Sequence, residues 1–218
     1  MEIILKEYTR NGIGLIADAV KVTSPIFEKE EAGKIVKRMV KHDYGSALEH
    51  VYFTFELKDI TVALSRELLE HRIASHTAKS TRYVSQSEEI PFYMPPKIQG
   101  QMAKEIEAHN RKTLELYRWI ERDVDRESAR YILPMGMKCT YFWTINCRSL
   151  INFLRLRLCV NASPEIRELA GKIKEIVVQL YPEIFEKVDC RGSFLGICPE
   201  PDQRSCHKYP QRAKQNVQ

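Results

Sequence analysis

Apolar and polar residues alternate most cleanly over Val51 to Leu57, where Val51, Phe53, Phe55 and Leu57 are separated by Tyr52, Thr54 and Glu56. A period of two makes this a strand with one apolar face and one free to meet a ligand or another layer. The pattern then changes period. Within Asp59 to Leu69, Val62, Leu64, Leu68 and Leu69 suit one buried face of a helix. Upstream, Ile3 to Leu5 reads as a short strand, and Ile35, Val36, Met39 and Val40 mark a helix over Glu30 to Lys41.

Three prolines, Pro91, Pro95 and Pro96, make Ser85 to Gln101 a loop, because each removes a backbone donor and restricts its predecessor. Met102 to Arg122 follows as a long, polar, amphipathic helix. Asp125 is placed to cap a shorter helix that Pro134 stops. Cys139 to Ile145, rich in aromatic and β-branched residues, reads as extended, with helix as the alternative. Asn146 is placed to cap a helix over Arg148 to Arg157. The last helix is better marked: Ser163 at the cap, Pro164 in the first turn, and Ile166, Leu169, Ala170, Ile173, Ile176, Val177 and Leu180 on one face, with Pro182 just beyond. No repeat or linker divides the chain, so the pattern predicts one α+β domain over 1–218, with a cysteine-bearing tail at about 188–218.

The chain of 218 residues is 44% hydrophobic and 29% charged, the balance of a globular protein with a substantial core. No run of about 18 apolar residues suggests a membrane span, and no charged-then-apolar leader is present, so a cytoplasmic protein with no membrane partner is expected. A net charge of +5 and a pI near 8.8 suit small anionic ligands but fall short of the dense basic stripe of a nucleic-acid-polymer binder. The mixed charges at 104–112 and 121–130 read as solvated helix faces with i,i+4 partners.

Candidate chemistry concentrates in HRIASHTAKSTRY, residues 71 to 83. Two arginines, two histidines, a lysine and hydroxyl groups there can meet several oxygens of an anion, with the planar forks of Arg72 and Arg82 matching phosphate or carboxylate. The simpler reading is a solvated, cation-rich helix end. A second argument comes from Arg148 to Arg157. Arg148, Asn152 and Arg155 share one helical stripe, whereas Arg157 falls with Leu150, Phe153 and Leu154 on an otherwise apolar one. An arginine there needs an anionic or polar partner, an internal carboxylate or a ligand. Cys139, Cys147 and Cys159 read as buried small residues rather than nucleophiles. Cys190, Cys198 and Cys206 with His207 raise zinc, but no CxxC pair is present and no metal is expected. Gly12, Gly14 and Ala17 spell a phosphate-loop pattern without an evident strand before it or a following βαβ unit. His50, beside Glu49, reads as a structural histidine or a pocket residue.

The 71–83 segment resembles the signature RHRxxSxNxxSxRY of the flavin-dependent thymidylate synthases. His71, Arg72, Ser75, Ser80, Arg82 and Tyr83 stand at its positions. Upstream, His42 to Leu57 resembles the family's H-x-S-x-L-E-H…FTF block, with Tyr44 and Gly45 altering the spacing of its first histidine. Downstream, ARYILP at 129–134 and TINCRSLINFLRLR at 144–157 resemble two further blocks. The likeness runs from about Asp18 to the cysteine-bearing tail.

The resemblance implies reductive methylation of dUMP to dTMP. The carbon would come from methylenetetrahydrofolate and the hydride from FAD recharged by NADPH, within a homotetramer whose active sites are shared between subunits. It implies that Arg157 lies against the pyrimidine as the catalytic group. Arg82 and Arg130, with Lys79, Ser80 and Thr81, would hold the nucleotide. His71, Arg72, Asn146, Arg148 and Asn152 would meet the flavin, which Ser46 approaches. Glu67, Glu70 and Ala78 occupy further substrate positions, the last two also flavin positions. Here the sequence departs: Glu70 replaces an arginine, Thr77 an asparagine and Ala78 a polar residue, Glu67 stands where glutamine is common, and Asn161 and Ser163 replace histidine and glutamine. Two other readings therefore stand beside the enzyme: a flavin- and nucleotide-binding paralogue with altered or lost methylation, and a noncatalytic interaction protein whose basic cluster meets an acidic partner.

Overall fold

The computed structural model describes residues 1–86 and 91–211. Four strands, β1 (Glu2–Tyr8), β2 (Tyr52–Thr61), β3 (Ala74–Ala78) and β4 (Lys138–Asn146), form an antiparallel sheet in the order β1-β2-β4-β3. The helices are α1 (Gly12–Thr23), α2 (Ala32–Lys41), α3 (Val62–Leu69), α4 (Gln101–Asp123), α5 (Arg126–Ala129), α6 (Cys147–Arg157), α7 (Pro164–Leu180), α8 (Pro182–Phe185) and α9 (Arg191–Leu195). This is the expected α+β architecture of an antiparallel sheet with flanking helices.

The chain divides into two compact units, one of Met1–Ile4 with Glu56–Trp143 and the other of Leu5–Phe55 with Thr144–Gln218. In the first, Leu64, Leu68, Tyr117, Ala129 and Trp143 are fully buried or nearly so. In the second, Phe53 meets Tyr181 and Phe185 edge-on at 5.9 and 5.7 Å, over a core that includes Ile16, Ile35, Val36, Leu150, Phe153, Leu154 and Leu169. Each such side chain contributes about 1.5–3 kcal/mol relative to exposure. The period-two reading holds: Val51, Phe53, Phe55 and Leu57 are all fully buried.

Short side chains set three helix starts. Thr61 accepts from the Leu64 N–H at 2.9 Å, Asp125 from Ser128 at 2.6 Å, and Asn146 from Ser149 at 2.8 Å. Each satisfies an otherwise unpaired amide, worth about 1 kcal/mol. The expected caps at Asp125 and Asn146 are thus in place, and Pro164 opens α7, although Ser163 makes no side-chain cap bond.

Other expectations are corrected. The helix expected from Asp59 begins only at Val62, because β2 continues to Thr61 with Asp59 at a φ of 58°, a left-handed conformation that aspartate tolerates. Cys139 to Ile145, by contrast, is extended as expected, as part of β4. The 71–83 segment is not simply a helix end: α3 stops at Leu69 and Ala74–Ala78 is β3, followed by the Lys79 N–H bonded to the Thr140 carbonyl at 2.9 Å. The charged 121–130 stretch is not one helix face, since α4 stops before Val124 and Arg126 reaches back to Glu121. Ser85 to Gly100 contains no helix or strand element among its described residues, Gln101 already opening α4, and 87–90 lie outside them, as does 212–218 of the tail. The glycine pattern does follow a strand, β1, yet it opens a helix in an antiparallel setting. There Gly12 serves packing, since a Cβ would come within 2.8 Å of the Tyr181 ring.

Candidate active-site residues

In the first unit the signature segment is tied down at several points. The His71 N–H bonds the Leu68 carbonyl at 3.0 Å, and the His71 side chain turns inward, only 9% exposed. His76 on β3 bridges two elements: Nε2 lies 3.3 Å from the His71 carbonyl, and Nδ1 lies 3.0 Å from the hydroxyl of Tyr141 on β4. Burial pushes the Tyr141 phenol up. Ser80 Oγ accepts from the N–H groups of Arg82 and Tyr83 at 3.2 Å each, fixing the turn that presents Arg82.

Beyond that turn, Arg126 donates to the Tyr83 carbonyl at 2.6 Å and to Glu121 at 2.7 Å, and Ser85 donates to Glu121 at 2.8 Å. Burial pushes the Glu121 carboxyl up, but the hydrogen bonds from Arg126 and Ser85 and the Arg126 charge outweigh it and hold the group below the ordinary carboxylate range.

Two arginines singled out from the sequence converge. Arg82 Nε lies 3.0 Å from one oxygen of Glu127, and Arg130 lies 3.9 Å from the other. The Arg82 and Glu127 side chains are each about half exposed, so water screens the pair and the carboxylate holds it weakly. Two guanidiniums thus share one weakly held carboxylate. In the same unit, Arg72, Ala78, Lys79 and Glu70 are exposed, Glu67 and Thr81 half-buried, and Glu70 closes the C-terminal end of α3.

In the second unit, Asn146 is buried at the start of α6, with its side chain occupied by the cap. Arg148, one residue into the helix, donates to Glu49 at 2.6 Å across a bare backbone at Gly45, where a Cβ would come within 2.5 Å of the guanidinium nitrogen. Glu49 therefore engages Arg148, while His50 is exposed. Ser46 lines a surface pocket of about 360 Å³ with Phe27, Arg38, Tyr44 and His50. Asn152 is exposed.

The stripes of α6 are not as expected. Arg157 is half-buried at the end of the stripe that Leu150, Phe153 and Leu154 bury completely, because α6 ends there and the stripe opens. On the same helix Arg155 is 13% exposed, bonded to Asp43 at 2.9 Å and seated 3.5 Å from the Phe194 ring centre. Of the three cysteines expected in apolar surroundings, only Cys147 is buried, which pushes its thiol far up; Cys139 and Cys159 are half-exposed.

Sequence reasoning missed Glu127, the pairing of Glu49 with Arg148 over Gly45, and the His76–Tyr141 bridge. Glu127 sits three residues before Arg130, a helical spacing that signals a pair, but its link to Arg82 depends on the fold.

Residues 5–183 match the family model described as thymidylate synthase complementing protein. The flavin-dependent thymidylate synthase of Nitratidesulfovibrio vulgaris is 31% identical over 211 residues, covering 91% of this chain and 86% of that one. The enzyme of the same name from Saccharolobus solfataricus is 34% identical over 195 residues, covering 84% and 74%. Among solved structures, the Helicobacter pylori flavin-dependent thymidylate synthase complexed with FAD and dUMP has a TM-score of 0.73 at 27% identity, covering 87% of this chain and 100% of that one. With the family model spanning most of its length and relatives above 30% identity over most of theirs, the chain belongs to the flavin-dependent thymidylate synthase family.

Proposed function

We propose that the protein methylates dUMP reductively to dTMP in the cytoplasm, taking carbon from methylenetetrahydrofolate and hydride from FAD reduced by NADPH, and releasing tetrahydrofolate. The observation that carries this reading is the meeting of Arg82 and Arg130 on one exposed carboxylate, Glu127. A nucleotide phosphate brings more charge and more acceptor oxygens than Glu127 and leaves the same two forks satisfied. Ser80, Lys79 and Thr81 flank them.

The donor set also fits a flavin, whose phosphates and ring carbonyls are acceptors. His71, Arg72, Arg148, Asn146 and Asn152 all carry N–H groups, and Ser46 adds a hydroxyl beside its pocket. Arg157 acts electrostatically. It stabilises negative charge developing on the pyrimidine without transferring a proton.

A homotetramer with shared active sites is consistent with α4, whose 23 residues bury only Asn110 and Tyr117 and leave Met102, Leu116 and Trp119 exposed. A neighbouring copy would cover that apolar surface.

One observation favours the second reading, a binding paralogue without methylation: Glu70 places an exposed carboxylate at the end of α3, beside Arg72 in a segment otherwise built for anions. An anaerobic turnover assay with labelled dUMP separates the two. The enzyme yields labelled dTMP only with FAD, NADPH and the folate together. Flavin and dUMP binding with no dTMP would establish the paralogue.

A further inference from the structure

Three cysteines, Cys190, Cys198 and Cys206, lie in the C-terminal segment at equal spacing, and Cys159 stands just past the end of α6. All four line one pocket of the second unit, with about 70 Å³ of room, and all four are free thiols. The segment is built against the end of α6 rather than trailing from it. Asn161 donates to the Arg204 carbonyl at 2.9 Å, the Cys198 N–H bonds the Pro210 carbonyl at 2.8 Å, and the Tyr209 ring packs on Gly192, where a Cβ would come within 2.8 Å.

Four sulfurs make a complete tetrahedral donor set, and thiolates alone select soft ions of the zinc class. Four thiolates around a divalent ion leave two negative charges, and Arg155, Arg191, Arg204 and Lys208 line the same pocket. His207 is not needed. It pairs with Asp202 at 3.8 Å and does not line the pocket.

We propose that Cys159, Cys190, Cys198 and Cys206 form a four-thiolate site for a single zinc ion, which fastens the C-terminal segment to the end of α6. This departs from the expectation of no metal, in which Cys159 was a packing residue and the tail set of Cys190, Cys198 and Cys206 with His207 held no CxxC pair. Among the described residues no three His, Cys, Asp or Glu groups already stand at metal-ligand spacing, so binding must draw the 190–206 segment inward. Four S–H bonds break and four S–Zn bonds form; the protons pass to solvent and no electron is transferred. The proposal does not depend on the methylation reading.

The test uses the full chain purified under reducing conditions without chelator, titrated with zinc against a chromophoric competitor. About one zinc per chain is expected, a stoichiometry lost in Cys159→Ser and kept in Cys139→Ser and His207→Ala. Zinc below about a tenth of the chain concentration, or full retention in Cys159→Ser, overturns the proposal. Should Cys159→Ser not fold, the wild type alone decides. X-ray absorption should show a sulfur-only shell at about 2.3 Å, whereas a nitrogen ligand, or iron with inorganic sulfide, overturns the single-zinc site. Proteolysis within 190–206 should slow on adding zinc, and an unchanged rate overturns the closure.

Discussion

Arg82 and Arg155 each sit against a carboxylate and near an aromatic ring, yet the two arrangements are built for opposite ends. Arg82 shares Glu127 with Arg130 at the surface, half exposed, and its ring neighbour Tyr83 is 5.4 Å away. Arg155 is 13% exposed, bonded to Asp43 and pressed to 3.5 Å from the Phe194 ring centre. A guanidinium that keeps water can exchange one anion for another at little cost, whereas one closed between a ring and a carboxylate has its donors and stem committed. Burial, not residue type, separates an arginine that binds from one that braces.

The sharpest test separates neighbours on α6. Arg157→Ala is expected to lower kcat about 100- to 1,000-fold, the scale of losing an oxyanion-type donor, with the thermal midpoint unmoved. Arg82→Ala should raise KM for dUMP about 10- to 100-fold, as a charge-assisted phosphate contact is lost, with flavin affinity retained. Arg155→Ala inverts the pattern: turnover per folded molecule is unchanged, while loss of the ring contact and packing costs about 1–2 kcal/mol, read as a drop of about 2–6 °C in Tm. A fall in kcat with unchanged Tm would abolish the distinction. The smallest effect belongs to Glu127→Gln, which should tighten dUMP binding a few-fold and move stability by no more than about 0.5 kcal/mol, because the pair it removes is exposed.

A pH series adds a check in the first unit. Glu121 has a depressed pKa in the fold, so its stabilising contribution is present above the unfolded carboxylate value and is lost as pH falls through the folded one. Denaturant midpoints measured downward in pH should decline less steeply in Glu121→Gln. Parallel declines would show that the Arg126–Glu121–Ser85 cluster contributes nothing to acid sensitivity.

Much of this was legible before any coordinates. The alternation over Val51 to Leu57 gave β2, the asparagine before Arg148 gave the start of α6, and the spacing from Ile166 to Leu180 gave α7, because each signal is local. β3 was not legible: Ala74–Ala78 is short and polar, without an apolar face, and is held by a neighbouring strand and by His76. The arginines were visible as types, but which of them is exposed was not. Arg82 and Arg155 differ in exposure because Phe194 returns over the second, a consequence of the fold. The pocket position of Cys159 beside the tail cysteines likewise depends on chain return, which no spacing encodes.

The Tyr181 hydroxyl donates to the Thr9 carbonyl and accepts from the Gly12 N–H at 3.1 Å, so one phenol joins the turn after β1 to the residue that ends α7. On the ribosome, that turn emerges long before its partner exists. The opening strand and first helix must wait through most of synthesis for the atom that locks them, which makes closure late and non-local. A chain stopped at residue 180 would keep every block of the signature and lose the fastening of its own beginning.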